Sequence, residues 1–164
     1  MKRFLLTVAL FVSISPAAFA GELDLGLRFG RVVDTDAGGY ELALRYFPVK
    51  MLSFTGTVGY SQLRYDKGWY NKDVNVIPLA GYANVHLPLP LISPYGGVGG
   101  VLYTAKDVSS PNLNDRGTER SGTFTVQGGV DISLPLPKSS LTIEVRRMIN
   151  DKQTMVVGGY WFRF

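Results

Sequence analysis

The residues that could do chemistry in this chain are few. It has one histidine, His86, and no cysteine. His86 is followed by Leu87 and Pro88, with no serine two residues on, so no local motif joins a hydroxyl nucleophile to a base. A nucleophile without a base is a poor catalyst. No group of His, Asp and Glu has metal-ligand spacing, and Gly96 to Gly100 reads as strand, not as the strand-to-helix turn of a phosphate loop. No catalytic residue, cofactor or metal is therefore expected. The ionic residues follow a different pattern. Arg28, Glu41, Arg45, Asp131, Glu144, Arg146 and Arg163 recur at alternate positions, mostly between apolar neighbours, and Glu22 and Asp24 join the same series. Five acids and four bases on one side of a set of strands are close enough in number to neutralise one another. Such pairing is what makes buried charge tolerable.

The elements that must carry those ions alternate with period two, apolar then polar, to the last residue. Strands are expected over residues 22–32, 40–47, 52–63, 74–87, 94–105, 123–134, 141–149 and 155–164. In the first, Leu23, Leu25, Leu27 and Phe29 share one face, opposite Asp24, Gly26 and Arg28. Pro48 is expected to close the second strand in a turn, and Pro78 to mark a bulge in the fourth, because proline supplies no ladder donor. Glycines blur the alternation of the fifth, where Tyr95 and Tyr103 are placed outward. Connections at one end are short and contain Pro48, Pro88 and Pro135. Those at the other end are mostly longer and polar: 34–39, 64–73 with Trp69 and Tyr70, and 106–122 with Pro111, Asn112, Asn114 and Asp115.

Ahead of the strands, Lys2 and Arg3 precede an apolar run from Phe4 to Ile14, then Pro16 and Ala18-Phe19-Ala20. That is the pattern of a secretory signal cleaved after Ala20. The run is too short to cross a bilayer as a helix, which takes roughly 20 apolar residues. The expected division is a signal peptide at 1–20 and one domain at 21–164. The net charge of +4 owes two units to Lys2 and Arg3, so the processed chain carries little excess charge. No nucleic-acid partner is expected from that balance.

An exported chain without disulfides needs another source of stability, and a closed barrel pairs every strand edge. In a soluble sandwich the charged faces would meet bulk water; in a narrow barrel they meet each other. Aromatics gather towards strand ends, as in Tyr40, Tyr46, Phe54, Tyr60, Tyr160 and Phe162, where they suit the two interfaces of a membrane. The fold class expected is all-β: an eight-stranded antiparallel up-and-down transmembrane β-barrel in a bacterial outer membrane. Val126→Arg, facing lipid, is expected to cost about 2–4 kcal/mol, and Gln127→Arg, facing inward, less.

The closing segment Gly159-Tyr160-Trp161-Phe162-Arg163-Phe164, with alternating aromatics and a final Phe, and the Gly-rich Pro94-Tyr95-Gly96-Gly97-Val98-Gly99 resemble the OmpA/OmpX-type family of small outer-membrane proteins. The resemblance spans residues 21–164. It implies that Tyr160, Phe162 and Phe164 form a C-terminal signal read by the barrel-assembly machinery. It further implies contact with outer-membrane lipid and lipopolysaccharide, and a monomer. Some barrels of this size are lipid A deacylases or palmitoyltransferases, but both would need a histidine working with a serine. The expected function is non-catalytic, supporting envelope integrity or surface interaction. A narrow small-solute channel is the main alternative, and a lipid A-modifying enzyme the lesser one.

Overall fold

The computed structural model describes residues 21–33, 37–66, 71–106 and 118–164. The signal assigned to residues 1–20 lies outside them, as do Trp69, Tyr70 and the loop residues Pro111, Asn112, Asn114 and Asp115. Eight strands follow in chain order: β1 (Glu22–Val32), β2 (Gly38–Val49), β3 (Leu52–Asp66), β4 (Asn71–His86), β5 (Ile92–Lys106), β6 (Thr118–Ser133), β7 (Ser139–Met148) and β8 (Gln153–Arg163). Each pairs antiparallel with the next, and β1 pairs with β8, so the sheet closes on itself. This is the expected all-β, eight-stranded, up-and-down barrel. The end where β1 begins and β8 finishes is called the near end below, and the other the far end.

The pleat sends successive side chains to opposite faces. In β1, Leu25, Leu27 and Phe29 point outward while Asp24, Gly26 and Arg28 are buried inside. In β7, Leu141, Ile143 and Val145 point outward, and Thr142, Glu144 and Arg146 inward. The protein is thus turned inside out relative to a water-soluble domain. Its large apolar residues cover the outer wall, and its buried residues are largely polar. Tyr40 and Tyr60 stack on the outside with ring centroids 5.7 Å apart, and Phe162 meets Phe164 edge-on at 5.2 Å.

Four expectations change. Tyr95 and Tyr103 face inward, not outward: Tyr95 is buried, and Tyr103 packs against the interior residues Met148 and Val101. The outward positions of β5 are taken by Val98 and Leu102. Room decides this facing. Inward Gly129 lies directly opposite Tyr95, and a Cβ on Gly129 would lie 2.8 Å from the Tyr95 hydroxyl. Pro78 marks no bulge. The β3–β4 ladder passes from Val58/Leu79 to Ser61/Val76 in unchanged register, and β5 pairs straight past Pro78. The irregularity lies at Pro48, which does not end β2. That strand continues to Val49 with a register shift between Tyr46 and Val49. Proline there interrupts the ladder one step before the turn, where an extra residue is easily absorbed.

The strands also run further into the far-end loops than hydropathy implies. Arg64 pairs with Asp73 and Asp66 with Asn71, inside the segment expected as a loop. Likewise Thr104 pairs with Arg120 and Lys106 with Thr118. A backbone ladder needs no apolar side chains, so alternation ends where the apolar belt ends while pairing continues.

Inward glycines sit opposite bulky inward neighbours. A Cβ on Gly26 would strike the Trp161 ring at 2.5 Å, one on Gly159 would come within 2.9 Å of Arg28, and one on Gly99 would collide with the Tyr82 ring. Outward Gly56 and Gly81, by contrast, have nothing within 4 Å of the same position. A narrow barrel fills its centre by such alternation of small and large residues.

Candidate functional site

The most concentrated chemistry in the molecule is its interior, where ions from five strands meet in two clusters. Towards the middle, Arg28 on β1 and Glu41 on β2 are direct cross-strand partners, while Glu144 and Arg146 follow each other on the inner face of β7. Gly159 of β8 carries no side chain between β1 and β7, so Arg28 reaches across it to Glu144 (Nη2–Oε1 2.5 Å). Arg146 grips Glu41 with both terminal nitrogens, at 2.8 and 2.9 Å, and places Nε 2.5 Å from Glu144. Arg28 Nη1 lies 3.9 Å from Glu41. The Tyr95 hydroxyl donates to the second oxygen of Glu144, and Tyr82 lies under the Arg146 guanidinium at 4.8 Å. Two bases and two acids thus cancel in a compartment from which water is largely excluded. Bidentate arginine–carboxylate geometry gives the strongest form of that pairing.

Nearer the near end, Arg45 bridges Asp24 at 3.0 Å and Asp131 at 2.7 Å, and lies over Trp161 at 4.1 Å and Phe47 at 4.9 Å. Thr142 donates a hydrogen bond to the other oxygen of Asp131. At the rim, Arg163 joins Asp24 (2.9 Å) to Glu22 (2.8 Å). Neutral groups link the layers: Gln127 donates to Asn84 at 2.6 Å, and Asn84 to Thr55 at 3.3 Å. Every interior ion read from the alternation is therefore engaged: Arg28, Glu41, Arg45, Asp131, Glu144, Arg146 and Arg163 all make ion pairs with one another or with Asp24 and Glu22.

One of these contacts resembles catalytic machinery. Ser53 Oγ lies 2.8 Å from His86 Nε2, and His86 Nδ1 lies 3.7 Å from Asp131 Oδ2. Residue for residue this is a nucleophile, a base and an acid. Its surroundings do not suit acyl transfer. Ser53 has no exposed surface, so an acyl carbon has no approach to Oγ. His86 is held between Phe47 and Tyr95, with both ring centroids at 4.9 Å. The Asp131 distance exceeds a hydrogen bond, and that oxygen already accepts from Arg45. The arrangement reads as a satisfied buried histidine. Sequence reasoning missed Ser53 as its partner because the two residues lie on adjacent strands, 33 positions apart.

Above the ions, towards the far end, the inner wall turns apolar. Val32, Ala37, Met148, Met155 and Val157 form a cluster with Tyr103, and Ala80, Tyr82 and Val101 a second one. A small cavity of about 30 Å³ is lined by Val32, Met148 and Met155 of that layer together with Glu41, Tyr82 and Arg146. Gln127 faces inward as read, but its direct neighbour on β7 is Arg146. An arginine at 127 would meet a like charge in a filled interior, so the mild effect expected of Gln127→Arg does not follow from this geometry.

Tyr160, Phe162 and Phe164 line up on the outer surface at the near end of β8. The Phe164 amide donates to the Leu23 carbonyl at 2.9 Å, fixing the last residue against β1. Among the described residues no group of His, Asp and Glu is placed to hold a metal ion, and no helix is long and apolar enough to cross a membrane.

No protein-family model matches the chain, and no curated protein matches it in sequence. Solved structures do match in shape. The N-terminal β-barrel domain of Pseudomonas aeruginosa OprF superposes with a TM-score of 0.63 at 15% identity, covering 88% of this chain and 99% of that one. Ail, the attachment invasion locus protein of Yersinia pestis, solved with the heparin analogue sucrose octasulfate, gives 0.57 at 17% identity over 88% and 99%. Neisserial surface protein A gives 0.58 at 15% identity over 88% and 97%. With the closed register and the outward apolar wall, these matches give the chain the fold of the small eight-stranded outer-membrane β-barrels of the OmpA/OmpX type.

Proposed function

We propose that this chain is an integral outer-membrane protein whose barrel is closed: neither an enzyme nor a channel, but a scaffold that serves envelope integrity or carries its far-end loops as an interaction surface. A signal at residues 1–20, cleaved after Ala20, would export it. Both ends of the barrel wall, β1 and β8, would then start and finish on the periplasmic side. Outer-membrane lipid and lipopolysaccharide would cover the wall. Tyr160, Phe162 and Phe164 would present β8 to the barrel-assembly machinery, and the protein would act as a monomer.

The observation that carries this reading is the state of the interior. Arg28, Glu41, Glu144 and Arg146 neutralise one another, and the apolar layer of Val32, Met148 and Met155 lies above them. An ion crossing the lumen would have to break that network and also pass a layer that offers no solvation. The sequence-level alternative of a small-solute channel is tested directly by this. In a planar bilayer at high potassium chloride, the purified protein is expected to give no steady current. Reproducible stepwise conductance at low voltage would overturn the closed-barrel reading.

A further inference from the structure

Two of the turns at the near end repeat one short sequence. The β4–β5 turn is Leu87-Pro88-Leu89-Pro90-Leu91, and the β6–β7 turn is Leu134-Pro135-Leu136-Pro137-Lys138. Turns that meet water are ordinarily polar. Here Leu87, Leu89, Leu91 and Leu136 are all exposed, Leu91 at 72% and Leu136 at 61%. The two turns are neighbours, since the Ser133 amide at the start of one donates to the Leu91 carbonyl of the other at 2.9 Å. Contiguous exposed apolar surface marks a place of contact. On the opposite side of the mouth the rim is ionic, where the half-exposed Arg163 and Glu22 side chains pair at 2.8 Å.

What covers this surface follows from the wall it continues. Ile92, Ile132 and Leu141 are direct cross-strand partners and form an apolar row at the near end of β5, β6 and β7. On β4, outward Val85 leads two residues on to Leu87. The backbone of the turns also suits a medium without water, where an unmet donor is costly. Pro88, Pro90, Pro135 and Pro137 have no amide hydrogen. The Leu87 and Leu134 amides donate to the Pro94 and Ser139 carbonyls at 2.8 and 3.1 Å. The one charged residue in the two turns is Lys138, whose long stem lets its ammonium stay among headgroups. We propose that the two turns form a lipid-binding lip, inserted into the interfacial layer of the near-end leaflet, so that membrane contact continues past the ends of the strands. This rests on the outer wall facing lipid and adds to it the turns, which that reading alone leaves in water.

The chain has no cysteine, so single cysteines can be placed and spin-labelled without background. Leu89→Cys and Leu136→Cys report the lip. Ile143→Cys, on the exposed middle of the wall, serves as the lipid reference, and Asn150→Cys, in the exposed far-end turn, as the water reference. Each labelled protein is reconstituted in phosphatidylcholine vesicles. Power saturation then compares collisions with oxygen, which enters hydrocarbon, and with a nickel chelate, which stays in water. The oxygen-to-nickel ratio at Leu89 and Leu136 is expected to be several-fold higher than at Asn150, approaching that at Ile143. A ratio at either turn no higher than at Asn150, with Ile143 still in lipid, would overturn the lip and leave the wall assignment standing; it would point instead to a partner in the aqueous phase. A water-like ratio at Ile143 itself would overturn both.

Discussion

Arg146→Met is expected to destabilise the barrel by about 3–5 kcal/mol, read from urea unfolding of the protein in lipid vesicles. The guanidinium satisfies both oxygens of Glu41 and one of Glu144 in a compartment where neither acid can find water. Without it Glu144 keeps Arg28 at 2.5 Å, but Glu41 is left with Arg28 only at 3.9 Å. Most of the cost is therefore the stranded Glu41 carboxylate, not the lost attraction. A second substitution separates the two. Glu41→Leu combined with Arg146→Met leaves Arg28 and Glu144 as a neutral pair, and is expected to regain about 1–3 kcal/mol relative to the single variant. A double variant as costly as the sum of its parts would mean that the ions do not act as one network.

The second large effect concerns the outer wall. Ile143→Arg is expected to cost about 2–4 kcal/mol by the same unfolding measurement, while Ile143→Phe costs little. Ile143 is 54% exposed at the middle of β7, flanked across the strands by Val130 and Gly158, with no polar group beside it. In water an arginine there would be harmless, or would improve solubility. In hydrocarbon it must drag its hydration with it or deform the bilayer. Val126 is a weaker position for this experiment than its alternation implies, because its partner on β7 is the outward Arg147, whose guanidinium already donates to Thr154 at 2.7 Å.

These two walls were legible to different degrees. The side-chain period of a strand is two, so wherever large and small or apolar and polar residues contrast, facing follows from sequence. That is why Leu25, Leu27 and Phe29 fall outside and Arg28, Arg45 and Glu144 inside. The contrast fails in β5, where glycine occupies both faces: Gly96 and Gly100 outward, Gly97 and Gly99 inward. Its facing is set by neighbours, with Asn84 and Tyr82 of β4 filling the space over Gly97 and Gly99. Tyr95 then turns inward to Glu144, a contact no local pattern announces. The choice of partner within the ion clusters was likewise hidden. Arg28 passes its direct neighbour Glu41 at 3.9 Å to bind Glu144, 116 positions away, because Gly159 opens the way. The apolar layer at the far end also escaped notice, since Val32, Met148 and Met155 come from different strands and meet only on closure.

The claim on which the rest depends is that the apolar wall belongs in hydrocarbon and the ions belong to one another. It is tested most directly by folding the processed chain, residues 21–164, with and without lipid or detergent, and comparing boiled with unboiled samples by gel mobility alongside circular dichroism. A compact, heat-modifiable, β-rich species is expected only when micelles or bilayers are present. A monodisperse, folded protein in plain buffer would contradict the account.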